Sequence, residues 1–392
     1  MSRWPTVRLD DCTEIVSGAT PKTSEKSFWG GDIYWATPKD LSVLDGAYIS
    51  DTARKITQRG SHSCAAKVLP PDSVLFSSRA PIGHVAINTV AMATNQGFKS
   101  FVPNRDRIHA KFLYHWLRWK RSYLESLGSG ATFKEVSKAV VARIEIPLPT
   151  LAAQRRIAEI LDKADSLRAK RRAAIEQLDT LTQSIFLEMF GDPATNPMGW
   201  PVRTIGDLLE SASYGTSRKS EAVGQYAVLR MNNIGCTGEM DLSTLKYMDL
   251  DECEHDRYLV RTGDVLFNRT NSPELVGKTA LYREALPMAY AGYLIRLRVK
   301  RDNDPEYLAA FLNTRYSKRV LRGMCKSIIG MANINATDVR GIRIPQPPLR
   351  MQIEFAQRVV GVVEMKAAYR ASLGKCDSLF AAIQHRAFRG EL

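Results

Sequence analysis

The run VGKTAL, Val276 to Leu281, contains the Gly-Lys-Thr of a phosphate loop, the triplet that reaches the phosphates of a bound nucleotide. A working loop also needs a glycine five positions earlier, so that backbone N–H groups can close around the ligand. That position is Ser272, and Pro273, which has no N–H, follows it. The GxGxxG turn of a dinucleotide fold is absent as well. A metal nuclease would gather carboxylates and a lysine. The only Pro-Asp pair is Pro71-Asp72, and Glu364-Met365-Lys366 lies far along the chain, on a stretch that reads as helix surface. The six histidines (His62, His84, His109, His115, His255, His385) show no ligand spacing with Cys or Asp, and His115 falls in an aromatic helical run that reads as core. The chain is expected to catalyse nothing by itself and to hold no metal and no cofactor.

The polar side chains that remain suit recognition. In the first half, loops between β-type runs offer Thr20, Lys22, Thr23, Lys39, Ser77, Ser78, Arg79, Asn95, Gln96 and Lys99. In the second half they offer Thr216, Ser217, Arg218, Lys219, Arg230, Asn232, Asn233, Asn268, Arg269, Asn271 and Lys278. Arg and Lys pair with guanine edges or phosphates, and Asn and Gln pair with adenine. Charge points the same way. The net charge is +14, with 20 Lys and Arg against 13 Asp and Glu in residues 1–151, and 21 against 18 in residues 191–348. An excess spread over both halves fits a polyanion such as double-stranded DNA. Asn196-Pro197-Met198-Gly199 is similar to the Asn-Pro-Pro-aromatic box of adenine methyltransferases, but the second proline and the aromatic are missing. The six cysteines form no CxxC pair. No apolar run approaches the ~20 residues of a membrane span, and the N-terminus has no apolar leader. A cytoplasmic protein with reduced thiols is expected.

These loops must be held by something, and the chain holds them twice. At an offset of 198, Ile144, Ile146, Pro147, Pro149, Leu151, Gln154 and Ala158 meet Ile342, Ile344, Pro345, Pro347, Leu349, Gln352 and Ala356. The register continues through Leu181 with Leu379, Ile185 with Ile383 and Phe190 with Phe388. Upstream, Trp4-Pro5 answers Trp200-Pro201, and DSVLFSSR (72–79) answers GDVLFNRT (263–270). The polar loops recur at corresponding places with different side chains, as expected of two readers with one scaffold.

Residues 152–190 contain no Gly or Pro, and Ile157, Leu161, Ala164, Leu178, Leu181 and Ile185 form a helical stripe. Thr150 can cap this helix, and Gly191 and Pro193 end it. A helix of that length with one narrow stripe needs a partner. The second helix, from about Leu349 to Phe388 with Phe355, Leu379 and Ile383 in its stripe, is the natural one. A kink or fraying is expected at Gly361 and Gly374. The expected fold is α+β: mixed domains at 1–149 and 192–347, joined by two long antiparallel helices, 150–191 and 348–392. These helices form a coiled coil in a pseudo-twofold internal repeat.

GATPKTSEKSFWGGDIYWATPKDL, VLFSSRAPIG, TNQGFKSFVP and SGATFKEVSKAVVARIEIPLP, followed by a long helix and the same plan again, resemble the specificity subunit of type I restriction–modification systems. The resemblance covers essentially the whole chain. The second copy departs more, with YGTSRK for GATPK and AGYLIRL for NQGFK. The resemblance implies two target-recognition domains reading a bipartite, asymmetric DNA target. It also implies a helical spacer, with Gln154, Gln352 and the stripe residues, that docks two methyltransferase subunits. Two motor–nuclease subunits join them, and S-adenosylmethionine, ATP and Mg²⁺ belong to those partners. Deleting one turn from both helices is expected to shorten the preferred spacer. A recognition subunit of a related system with a differently organised nuclease, or a stand-alone DNA-binding protein, would share these sequence features.

Overall fold

The computed structural model describes residues 4–130, 134–328 and 331–392, so the Ala-Thr-Phe at 131–133 of the quoted SGATFKEV stretch lies outside the described residues. The chain divides into two compact units, residues 1–170 with 372–392, and residues 171–371. Each unit contains one mixed domain and part of each long helix.

The Trp-Pro and Ile-x-x-Pro repeats form one clasp. In the first unit Thr6–Arg8 pairs antiparallel with Glu145–Pro147. In the second, Val202–Thr204 pairs with Arg343–Pro345 in the same way. Leu148 N–H donates to the Pro5 carbonyl and Gln346 N–H to that of Pro201, both at 2.8 Å. The prolines have no N–H to extend the ladder, so each pair stops and the chain turns into a long helix.

Behind the clasp the sheets are short and irregular. The first unit has a five-stranded sheet in the order Thr13–Ser17, Lys99–Pro103, Val74–Phe76, Val85–Asn88, Tyr48–Ile49. A three-stranded sheet centred on Trp29–Ala36 accompanies it. The second unit has a four-stranded sheet, Leu209–Tyr214, Leu294–Val299, Val265–Asn268, Thr279–Leu281, and a second one containing Tyr226–Leu229 and Met288–Tyr290. Val74–Phe76 and Val265–Asn268 are buried on both faces, which is why they read as continuous apolar runs rather than alternating ones.

The long helices are Leu151–Phe190 and Leu349–Arg389. In the first unit Ile157 and Leu161 share a core with Phe380 and Phe388, against Phe112 and Trp116 of the helix Ala110–Trp119. In the second, Phe186 and Phe190 share a core with Phe355 and Val359, against Tyr307 and Phe311 of the helix Pro305–Leu312. The start of one long helix therefore meets the end of the other in each unit, and the pair is antiparallel. Ala153 N–H donates to the Thr150 hydroxyl at 3.4 Å, and Gly191, at φ +79°, ends the first helix.

Three expectations about these helices need correction. The second helix runs unbroken through Gly361 and Gly374. A Cβ at either position would meet nothing within 4 Å, so glycine costs helix propensity there, about 1 kcal/mol, but no packing. Leu379 faces solvent, 58% exposed, and Phe380 takes the inward place. Leu178, Leu181, Ile185 and Ile383 are only half-buried. Near the middle the seam is polar and aromatic: Arg168 meets Asp377 at 2.6 Å and lies over Phe380, Arg171 lies over Tyr369, and Lys366 meets Asp179 at 2.8 Å. Finally, Gln154 and Gln352 are fully buried and offer no surface to a partner. Gln154 Nε2 donates to the carbonyls of Arg107 and Pro149, and its Oε1 accepts from His109 N–H. Gln352 does the same with Pro347 and Asp304 N–H. Each glutamine pins its helix to its own domain. Among the described residues no helix is long and apolar enough to cross a membrane.

Candidate nucleic-acid interface

The recurring loops sit on a shared backbone framework. Ala19 N–H donates to Thr94 and Thr216 N–H to Tyr290, both at 2.9 Å. Asn95 N–H donates to Ala36 and Ala291 N–H to Leu229, also at 2.9 Å. Ser78 N–H reaches Gly97 at 2.8 Å, and Arg269 N–H reaches Tyr293 at 3.0 Å. Ser78 and Arg269 then accept from Val136 and Ile334, both at 2.9 Å. Gly18 and Gly215 let the loops touch: an added Cβ would lie 1.8 Å from the Asn95 carbonyl oxygen in one unit and 2.3 Å from that of Tyr290 in the other. Asp40 and Asn233 also correspond, since each accepts from the backbone N–H three residues earlier, that of Thr37 and that of Arg230.

In the first unit this framework brings Thr20 against Gln96, with the Thr20 hydroxyl donating to Gln96 Oε1. Gly97 lies among Asn95, Pro38 and Arg79, so three loops converge there. Lys22, Thr23, Lys39 and Gln96 are exposed. Ser77, Ser78 and Lys99 are turned inward instead. Ser77 braces the turn through Pro81 and His84, and Ser78 Oγ donates to the Gly97 carbonyl at 3.2 Å. Lys99 is paired with Glu135 at 3.0 Å. These three hold the loops and do not present themselves to a ligand.

A cluster that the sequence did not suggest flanks this surface. Trp29 and Trp35 meet edge to face, 5.0 Å between centroids. Their indole N–H groups donate to the carbonyls of Lys22 and Ala19, bracing the GATPK loop. The exposed Arg54 guanidinium stacks 3.5 Å over Trp29, and Lys55 lies over Tyr34. The signal was present as aromatics interleaved with cations, but Arg54 and Trp29 lie 25 positions apart and no local spacing links them.

In the second unit Thr216, Ser217, Arg218, Lys219, Arg230, Asn232 and Arg269 all border one cleft of about 750 Å³. Arg218 is held by Glu254 through two hydrogen bonds of 2.9 and 2.6 Å. Asn233 and Asn268 are buried and correct the sequence reading. Asn233 ties its own loop to Asp241 and Thr244, and Asn268 reaches the Met231 carbonyl. Lys278 is half-buried and donates to that same carbonyl at 3.0 Å, and Asn271 caps its own turn at Ser272.

A family model of the type I restriction modification DNA specificity domain matches residues 1–177 and 197–360. The MjaIX specificity subunit of Methanocaldococcus jannaschii is 34% identical over 56% of the chain, a match that spans about half of that relative's length, 54%. The EcoKI specificity subunit of Escherichia coli is 23% identical over 99% of the chain and 89% of its own length. Two solved structures share the fold. One, from work on complex assembly and conformational transition of the type I R-M system, has a TM-score of 0.61 at 21% identity, covering 99% of this chain and 98% of that one. The other is the S subunit of a type I system from M. genitalium, at TM-score 0.60 and 12% identity, covering 99% and 96%.

Proposed function

The chain belongs to the type I restriction–modification DNA specificity family, and we propose that it reads a bipartite, asymmetric DNA target with one half-site per unit. The observation that carries this reading is the repeated loop framework. The same backbone hydrogen bonds hold both sets of loops, while the side chains between them differ. Phosphate contacts fall to exposed cations such as Lys22, Lys39, Arg54 and Lys219, and base contacts to residues nearer the convergence of the loops, such as Gln96 and Arg269. The long helices set the interval between half-sites and dock two methyltransferase subunits. Two motor–nuclease subunits complete the restricting complex, and S-adenosylmethionine, ATP and Mg²⁺ belong to those partners.

A single-molecule methylome of the host, with and without this gene, tests the reading. A bipartite N6-methyladenine motif should vanish when the gene is deleted. If every motif persists while the partner methyltransferase is expressed, the reading is wrong.

A further inference from the structure

One position of the shared framework carries very different side chains. It is Ser78 in the first unit and Arg269 in the second, fixed by the same pair of backbone hydrogen bonds. Ser78 is fully buried against Gly97. Arg269 lines the second unit's cleft together with Thr216, Arg230, Asn232, Tyr293 and Asn333. No carboxylate lines that cleft among the described residues.

The Arg269 side chain is held and yet mostly unspent. Its guanidinium carbon lies 4.9 Å from the centre of the Tyr214 ring, and the Tyr214 hydroxyl is itself fixed by Ala336 N–H at 2.8 Å. Among the described residues its only hydrogen-bond acceptor is the Gly292 carbonyl, at 3.4 Å from Nη1. Its Nε is buried and has no partner among the described residues. A guanidinium has five N–H donors in a rigid fork; with Nε buried and one Nη1 N–H given to Gly292, the other Nη N–H groups are left for a ligand. The fork matches two coplanar acceptors. In the major groove that pattern is N7 and O6 of guanine, the commonest specific contact of arginine. A phosphate offers acceptors too, but the cations placed for the backbone are the exposed Lys219 and its neighbours, whereas Arg269 is half-buried.

We infer that Arg269, oriented by Tyr214, reads a guanine in the half-site of the second unit and fixes the G·C pair there. The first unit, with Ser78 in place of Arg269 and Ser17 in place of Tyr214, has no such reader at this position. The inference rests on the second unit being a DNA reader. The test is the methylome of the host expressing the chain with its methyltransferase partner, comparing wild type, Arg269→Ala and Arg269→Gln. Both variants should relax one guanine of one half-site, with a roughly ten- to hundred-fold loss of discrimination there and the other half-site unchanged. Gln96→Ala should alter only the other half. If Arg269→Ala abolishes methylation everywhere, Arg269→Gln decides: relaxation or replacement of one guanine supports the inference, and an unchanged motif overturns it. A uniform drop at all sites with the motif intact would make Arg269 a phosphate contact and overturn it as well. A wild-type chain with no motif of its own would instead defeat the function proposed above.

Discussion

The first and second units follow the same chain path and fill it with opposite chemistry. At the convergence of the loops the first has a buried serine and a glycine, with its stacked arginine, Arg54 on Trp29, set to one side. The second has an arginine that borders the cleft itself and lies over Tyr214. What they share is backbone: N–H to carbonyl bonds, a glycine where loops touch, and a side-chain acceptor four residues after the end of a strand. A framework held by main-chain bonds constrains few side chains. The positions between those bonds can change without loss of fold, so one architecture can serve two half-sites.

The strongest way to break that comparison is to unfold one unit alone. Phe388 stacks on Trp119 and packs on Phe112, whereas Phe190 sits among Phe186, Tyr307 and Phe355. Replacing either by alanine should cost about 3–5 kcal/mol. Hydrogen exchange followed by mass spectrometry should show the loss in residues 1–170 for Phe388→Ala and in 171–371 for Phe190→Ala. Equal loss in both units from one substitution would mean they do not fold as separate cores.

The glutamine pins come next. Gln154→Ala would leave the Arg107 and Pro149 carbonyls and the His109 N–H unpaired, and Gln352→Ala would do the same to Pro347 and Asp304. With orphaned buried groups costing about 1–3 kcal/mol each, a loss of about 2–4 kcal/mol in each unit is expected by denaturant unfolding. Surface glutamines on a partner-docking face would show almost none.

Arg54 sharpens the comparison at lower energy. If it is a phosphate contact on an aromatic platform, Arg54→Ala should weaken DNA binding of the assembled methyltransferase about equally on all sequences. It should also lower the salt slope by about one unit. A change in the recognised bases instead would make Arg54 a reader, and the two units would then be more alike than their clefts suggest.

Much of this architecture is legible in the sequence because repetition gives phase. The 198-residue offset aligns the second strand of each clasp, the pins and the long helices, and the polar loops fall where the readers are expected. The direction in which a loop side chain points is not legible. Ser78, Lys99 and Asn268 are polar types in the same loops as Gln96 and Arg269, but irregular backbone has no period to separate inward from outward. Lys99 goes inward because Glu135 is there to receive it, a partner 36 residues away. Repetition also misleads where environments diverge. Leu379 repeats Leu181, yet Phe380 is the residue buried, against Arg168.

Acid should separate the units most gently, and in opposite directions. In the first, burial works to raise Asp162 and Asp165, but hydrogen bonds outweigh it, from His115 and Lys111 to Asp162 and from Arg118 to Asp165. Both carboxyls are thus held below their ordinary 3.8. Their contribution to stability is complete above that value and is lost only as pH falls through the lower folded values. In the second unit, burial of Glu306 outweighs its Arg283 partner and raises it above 4.5, and burial likewise raises Asp304 above 3.8. These two burden the fold when ionised. Protonation removes that burden as pH falls from neutral through their raised values, because there the folded state binds more protons than the unfolded one. Hydrogen exchange, corrected for intrinsic rates, should therefore show amides of the Pro305–Leu312 helix better protected at about pH 5 than at pH 7. Amides of the Ala110–Trp119 helix should instead lose protection over that range, because burial holds His109, its N-cap, and His84 below their ordinary 6.5 and the unfolded chain takes up those protons first, and they should weaken further below about pH 3.8. Glu306→Gln should flatten most of the second unit's response, since an amide has no charge to lose. If Glu306→Gln leaves that response intact, the buried glutamate is not its source.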